Sequence, residues 1–233
     1  MNGNIFIATT GQGITRASAL DSGAWQVTAL LADLNVACLA LDPAARETVY
    51  AGTGGGVLRS DDAGGSWRPC GLGGRNVKAL AASPTQPGVV FAGTKPASLF
   101  KSEDGGATWR ELTAFRRIRG RRLWFSPAEP PFIGYVQAIT LSPTDPDRVA
   151  VGIEFGATVL SMDGGQTWTG HRRGALRDCH SRLPCPARRV ALRGWRYGGW
   201  PRLQSRWREN VVQNTGRPGP SLRLGRRRRS CPA

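Results

Sequence analysis

Two groups of residues in this 233-residue chain have the types and spacing to do chemistry. The first is a set of aspartates, Asp62, Asp104 and Asp163, each third in an eight-residue stretch: SDDAGGSW from Ser60 to Trp67, SEDGGATW from Ser102 to Trp109 and SMDGGQTW from Ser161 to Trp168. Regularly placed carboxylates in glycine-rich loops can hold calcium or act as acids and bases. The second group is the segment GHRRGALRDCHS, which brings His171, Arg172, Arg173, Arg177, Asp178 and His180 together within ten positions and contains both histidines of the chain. Such a cluster suits an anionic ligand or polymer; a solvated polar loop with an internal Arg–Asp pair is the bland alternative. Glu154 is the one carboxylate we nominate as a weak catalytic candidate beside it.

For the aspartate boxes the residue types favour a structural reading. An Asp carboxylate accepts hydrogen bonds from backbone N–H groups inside a turn, and a Ser or Thr hydroxyl bonds locally. Glycine supplies positive φ, and Trp opens the following strand with a large surface that can wedge against a neighbour. Ser60, Asp62, Gly64 and Trp67 therefore form one structural set, repeated as Ser102, Asp104, Gly106 and Trp109 and as Ser161, Asp163, Gly165 and Trp168. A calcium loop would need further fixed acids, but Asp61 and Glu103 give way to Met162 in the third box. We expect no metal and no cofactor.

The similarity extends upstream of each box. NVACLALDPAARETVYAGTGGGVLRSDDAGGSW, NVKALAASPTQPGVVFAGTKPASLFKSEDGGATW and YVQAITLSPTDPDRVAVGIEFGATVLSMDGGQTW align almost without gaps. Each unit reads as four short strands separated by a Pro-containing turn, a small-residue loop and the box, which predicts one propeller blade per unit. The N-terminal segment IFIATTGQGITRAS supplies two strands of a weakened unit that lacks an innermost strand, and SALDSGAW is an eroded box, so that Trp25, Trp67 and Trp109 fall 42 residues apart. The fold class predicted is all-β, a partial propeller of four-stranded blades at about 1–34, 35–76, 77–135 and 136–181. Between Trp109 and Trp168 the spacing grows by 17 residues. The excess lies in ELTAFRRIRGRRLWFSPAEPPFIGY, either a functional loop or a basic excursion anchored by Trp124 and Phe125.

The boxes resemble the Asp-box, or bacterial neuraminidase repeat, and residues 1–181 resemble repeat-containing glycosyl-hydrolase-like propellers. Sialidases, the sortilin-type receptor domain and the photosystem II assembly factor type are related. The resemblance implies a parent of about six to eight blades and leaves activity open, because enzymes and non-catalytic binding proteins share the repeat. A sialidase would require an arginine cluster, a Tyr–Glu pair and an acid/base Asp. With Tyr50, Tyr135 and Tyr197 the only tyrosines, that set cannot be placed. The reading that follows is a non-catalytic binding or assembly scaffold with an unknown protein or glycan partner; the alternative is an exo-sialidase-like glycosyl hydrolase whose catalytic set is incomplete here. In a four-stranded meander the boxes share a face with the strand 1–2 turns. The opposite face collects the strand 2–3 loops, the blade-to-blade connections, Glu154 and the cluster from His171 to His180, and is the expected ligand face.

Charge and hydropathy narrow the remaining classes. Residues 182–233 carry 14 Arg, no Lys and one acid, Glu209, so they hold +13 of the net +16. The body is nearly neutral, and basicity gives no evidence for specific nucleic-acid binding. No run of 18 apolar residues occurs and MNGNIFIATTGQG lacks the form of a secretory signal, so we expect a cytoplasmic protein without membrane contact. The five cysteines show no metal or disulfide spacing.

The Arg/Pro-rich tail 182–233 reads as disordered, and also as the right DNA in the wrong frame. QSRWRENVV, written CAG TCG CGA TGG CGG GAA AAC GTG GTC, becomes SRDGGKTW one nucleotide later, a fourth box preceded by YEAGGTGGG. We expect a single-nucleotide shift near His180 to Arg182, which would leave the tail able to bind polyanions only nonspecifically, through phosphate-type contacts. Sequencing the gene across those codons, with mass spectrometry of the expressed protein, tests this: an interrupted frame is expected, and in-frame tail peptides from a verified gene would refute a sequencing error.

Overall fold

The three sequence repeats fold as three copies of one antiparallel sheet. In the computed structural model the described residues are 4–8, 13–127 and 130–171; expectations for 172–233 lie outside them. The first sheet has three strands, β1 (Asn4–Ala8), β2 (Ile14–Ala19) and β3 (Trp25–Leu30). The second is β4 (Val36–Leu41), β5 (Val49–Thr53), β6 (Gly56–Ser60) and β7 (Arg68–Pro69). The third is β8 (Asn76–Ala82), β9 (Val90–Lys95), β10 (Leu99–Ser102) and β11 (Arg110–Glu111), and the fourth β12 (Val136–Leu141), β13 (Val149–Ile153), β14 (Thr158–Ser161) and β15 (Thr169–His171). Every sheet is a meander whose neighbours in sequence are neighbours in space. The chain is a partial β-propeller, and among the described residues its first sheet has no innermost strand.

The core lies between successive sheets. β5, β9 and β13 are buried along their whole length, and apart from Lys95 at the end of β9 their residues VYAGT, VFAGT and VAVGI do not alternate with charged ones. Tyr50, Val57 and Cys70 of the second sheet pack with Val77, Val90 and Phe100 of the third. Ile14 of the first packs with Val36 and Ala51 of the second.

Close approach requires glycine at one point of β5 and β9. The inner strands β4, β8 and β12 each carry a register break after Val36, Val77 and Val136, leaving Ala37, Lys78 and Gln137 as bulge residues. Val77 sits over Gly52 of the preceding sheet, where a Cβ would come 2.8 Å from its Cγ1, and Val136 sits over Gly93, where a Cβ would overlap it. Guanidinium groups add a second tie: Arg16 Nη1 donates to Ala63 O at 3.1 Å and Arg59 Nη1 to Gly105 O at 2.7 Å, each reaching the next sheet's box.

The first unit departs from the expected alignment. Arg16 pairs with Thr28 as Arg59 pairs with Arg68, so Val27 takes the place of Trp67, and Trp25 extends the hairpin opposite Ala19. A tight turn at Leu20–Ala24, with Gly23 at φ 80°, replaces the eroded box. Trp25 and Val27 are exposed together with Ile5 and Ile7. Among the described residues no helix is long and apolar enough to cross a membrane.

Adding a methyl group where Val136 rests tests the glycine contact. Gly93→Ala should lower unfolding free energy by about 1–3 kcal/mol, while Gly54→Ala, where a Cβ meets nothing within 4 Å, should change it by less than about 0.5 kcal/mol. Urea denaturation of both variants decides, and equal effects would refute the contact.

Candidate binding face

The first candidates, the boxes, have the same hydrogen bonds three times. Ser60 Oγ accepts from Gly64 N–H and donates to Asp62 Oδ1, both at 2.7 Å. Asp62 Oδ1 accepts from Ser66 N–H at 2.9 Å and Oδ2 from Ser66 Oγ at 2.7 Å. Ser102, Asp104, Gly106 and Thr108 repeat this at 2.6–2.8 Å. In the last box Ser161 Oγ donates to Asp163 at 2.7 Å, and Gly165 N–H and Thr167 N–H donate to Ser161 Oγ and Asp163 Oδ1 at 2.8 Å. The serines are buried, and Gly64, Gly106 and Gly165 have φ between 81° and 95°, a region that a side chain would strain. Trp109 Nε1 donates to Gly106 O at 3.0 Å and to Cys70 O of the preceding sheet at 2.8 Å; Trp168 Nε1 donates to Gly165 O at 3.0 Å.

Each fixed carboxylate thus directs both oxygens into its own turn. Donation from the Thr108 hydroxyl and N–H, with Ser102, holds Asp104 down at about 2, and Thr167 with Ser161 does the same for Asp163. Asp62 is likewise held well below the usual carboxylate range by Ser66 and Ser60. The variable acids are ion-paired: Asp61 with Arg59 at 2.6 Å and Arg68 at 2.9 Å, Glu103 with Lys101 at 2.6 Å. Among the described residues no three His, Cys, Asp or Glu side chains cluster to hold a metal. Burial pushes the Cys38 thiol up to about 12 and raises Cys70, so neither is poised as a thiolate.

The boxes lie with the strand 1–2 turns, since Ala63, Gly105 and Gly164 N–H groups donate to Glu47, Gly88 and Asp147 carbonyls at 2.8–2.9 Å. The opposite face joins strand 2–3 loops to the inter-sheet connections. Gly74 N–H donates to Gly55 O at 3.0 Å, Ala97 N–H to Gly134 O at 2.9 Å and Glu154 N–H to Tyr135 O at 3.2 Å. Glu154 is 5% exposed, and its Oε2 has no hydrogen-bond partner among the described residues. Beside it the Tyr135 ring lies under the ammonium groups of Lys78 and Lys95, 5.7 and 5.9 Å from its centroid.

The long connection is held by residues that only partly match the expected anchors. Its short helix α1 (Thr113–Arg116) buries Phe115, whose ring meets Trp168 edge-on at 5.3 Å and Trp124 at 5.7 Å. Trp124 is buried, whereas Phe125 packs against Phe155 at 5.4 Å with the rings tilted by 41° and stays half exposed. Of the nominated charged cluster, His171 ends β15 opposite Thr158. Its side chain and Arg172, Arg173, Arg177, Asp178 and His180 lie outside the described residues. Sequence reasoning missed Lys78, and it placed Lys95, Phe115 and Tyr135 on the loop face only as members of the segments 94–98 and 111–135. The signal for Lys78 was available: in each repeat it follows the inner-strand Val, the position that becomes the bulge.

No family model and no curated protein matches the chain. Solved structures do resemble it. The xyloglucanase of family GH74 from Xanthomonas campestris superposes with a TM-score of 0.59 at 22% identity, covering 74% of this chain and 29% of that one. The Niastella koreensis GH74 enzyme gives 0.57 at 22% identity over 77% and 29%. YCF48 from Cyanidioschyzon merolae gives 0.52 at 14% identity over 76% and 55%. The chain spans less than a third of the two GH74 enzymes and about half of YCF48. At these identities the likeness is one of fold.

Two measurements test the box. Ser102→Ala leaves Gly106 N–H without an acceptor inside a buried turn and should cost about 1–3 kcal/mol in urea unfolding; an unchanged midpoint would refute the role. Because Asp104 and Asp163 titrate near 2 when folded and near 3.8 otherwise, the unfolded chain binds more protons between those values. Their stabilisation is complete about one pH unit above the unfolded value and is lost progressively as pH falls toward 2. Thr108→Val should make that acid limb shallower, and a limb of unchanged slope would show that Thr108 does not depress Asp104.

Proposed function

We propose that this chain is part of a non-catalytic β-propeller of the Asp-box type, a binding or assembly scaffold. Its ligand face is the one made by the strand 2–3 loops and the blade-to-blade connections. The observation carrying this reading is the contrast between faces: the box carboxylates are consumed inside their turns, while the long connection is anchored by Phe115 and Trp124 and turns apolar and cationic side chains outward. A partner of protein or glycan nature fits such a face; the boxes serve to hold the loops opposite them.

The second reading, a glycosyl hydrolase of sialidase-like type, draws on Glu154, a buried carboxylate with an unpartnered oxygen on the loop face. Retaining or inverting hydrolysis needs a second carboxyl about 5–10 Å away, which this reading places in further blades of a longer parent. The enzymes resembled in fold, one a xyloglucanase, keep this alternative open. The proposal extends to organisation, with blades bounded near 34, 76 and 135 and residues 182–233 translated out of frame.

Hydrolysis assays separate the two. The longer parent, expressed through the restored reading frame and incubated with an aryl sialoside and with xyloglucan, should release no more product than its Glu154→Gln variant. Turnover that disappears with that substitution would replace the scaffold reading by the enzymatic one.

A further inference from the structure

The connection between the third and fourth sheets spends its buried aromatics on anchoring. Phe115 is 0% exposed and wedged between Trp124 and Trp168, and Arg121 Nη2 donates to Ala97 O at 2.5 Å. These ties hold the segment to both sheets, so what it presents outward is presented on a supported surface.

That outward surface is apolar and cationic together. Leu123 is 71% and Phe132 61% exposed, with Phe125 and Ile133 beside them, joined by the bridge between residues 125 and 133. Four large exposed apolar side chains within eleven positions of one connection exceed the scattered single exposures that need no explanation. Arg117, Arg119 and Arg122 are exposed and make no ion pair with a described residue, whereas Arg116 is offset by Glu111 at 3.6 Å. A cleft of about 510 Å³, walled by Ile118, Arg119 and Leu123 and floored by Trp168, lies at its edge.

From this pairing we infer that residues 117–133, apart from 128 and 129, dock an acidic polypeptide segment carrying apolar anchor side chains. Carboxylates of the partner meet the three arginines, and its anchors cover Leu123, Phe132 and the cleft, the arrangement in which buried apolar anchors supply affinity and charge supplies orientation. A sulfated glycan or a nucleic acid would engage the arginines and leave the aliphatic Leu123 and Ile133 unused. The inference rests on the scaffold reading and deepens it by naming the partner's chemistry.

The test uses the full 233-residue chain and a fluorescein-labelled peptide of about 18 residues alternating Glu-Phe and Asp-Leu pairs, followed by anisotropy at about 150 mM salt. Poly-glutamate of equal length and a sulfated oligosaccharide are the comparison probes. The peptide should bind in the micromolar range and at least about tenfold tighter than either comparison probe. Leu123→Ser with Phe132→Ser, and separately Arg117→Glu with Arg119→Glu and Arg122→Glu, should each weaken it at least about tenfold while the thermal midpoint stays unchanged. Equal binding by all probes, or variants that bind like the parent, would overturn the inference and assign capture to the tail arginines. A photo-crosslinking residue at position 132, 54 or 108 then locates any contact. Labelling from 132 supports the inference. Labelling from 54 alone defeats it and leaves the loop-face reading standing, whereas labelling only from 108, or from none, defeats both.

Discussion

Everything in this chain depends on how closely one sheet can lie on the next. The approach is set where the inner-strand valines Val77 and Val136 rest on the Cβ-less positions Gly52 and Gly93. With the sheets at that spacing, the guanidinium of Arg59 reaches Gly105 O, and the indole of Trp109 reaches Cys70 O. A spacing about 1 Å wider would carry both beyond hydrogen-bond length, at a cost comparable to or larger than the methyl group that glycine forgoes. The bulges after Val36, Val77 and Val136 belong to the same constraint, since they turn the inner strand at the level of the glycine.

The boxes are the second consequence. A strand 3–4 reversal leaves N–H groups near the surface without sheet partners, and each box satisfies two of them with one buried Ser hydroxyl and one Asp carboxylate. Rigid reversals at one end let the loops at the other end be irregular. The strand 2–3 loops there bond to the inter-sheet connections rather than to each other, so their sequences are free to diverge while their positions are held. This is how a repeat scaffold separates folding from recognition.

The strands, the box turns and the sharing of faces were legible in the sequence because each depends on local chemistry: Pro and Gly punctuation, Asp in a turn, and apolar runs of five or six residues. What could not be read needed two strands at once. Trp25 matched Trp67 by spacing, yet pairing opposite Ala19 shifted it two residues along. Phe115 looked like any loop aromatic until Trp124 and Trp168 closed around it, and Phe125, the nominated anchor, went to the rim. Glu154 was visible as an acid on the loop face, but neither its burial nor the bond from its N–H to Tyr135 O of the preceding connection could be read from one strand.

Repetition also shows where function can reside. Ser, Asp and Gly of the box, which recur in all three units, make the same hydrogen bonds each time, and identical surroundings imply an identical, structural task. Divergence is informative at equivalent positions. After the strand-2 residues that pair with Val36, Val77 and Val136 come Gly54, Lys95 and Glu154. The bulges carry Ala37, Lys78 and Gln137. Neutral, cationic and anionic residues thus succeed one another on a common backbone, although fold alone would accept a small residue at each. Lys95 and Glu154 are both buried, the Lys95 ammonium 5.9 Å from the centre of the Tyr135 ring and Glu154 Oε2 without a hydrogen-bond partner among the described residues. They lie on adjoining sheets at the end where the strand 2–3 loops meet the inter-sheet connections, so the repeats diverge in charge there while Ser, Asp and Gly of the boxes stay constant at the other end.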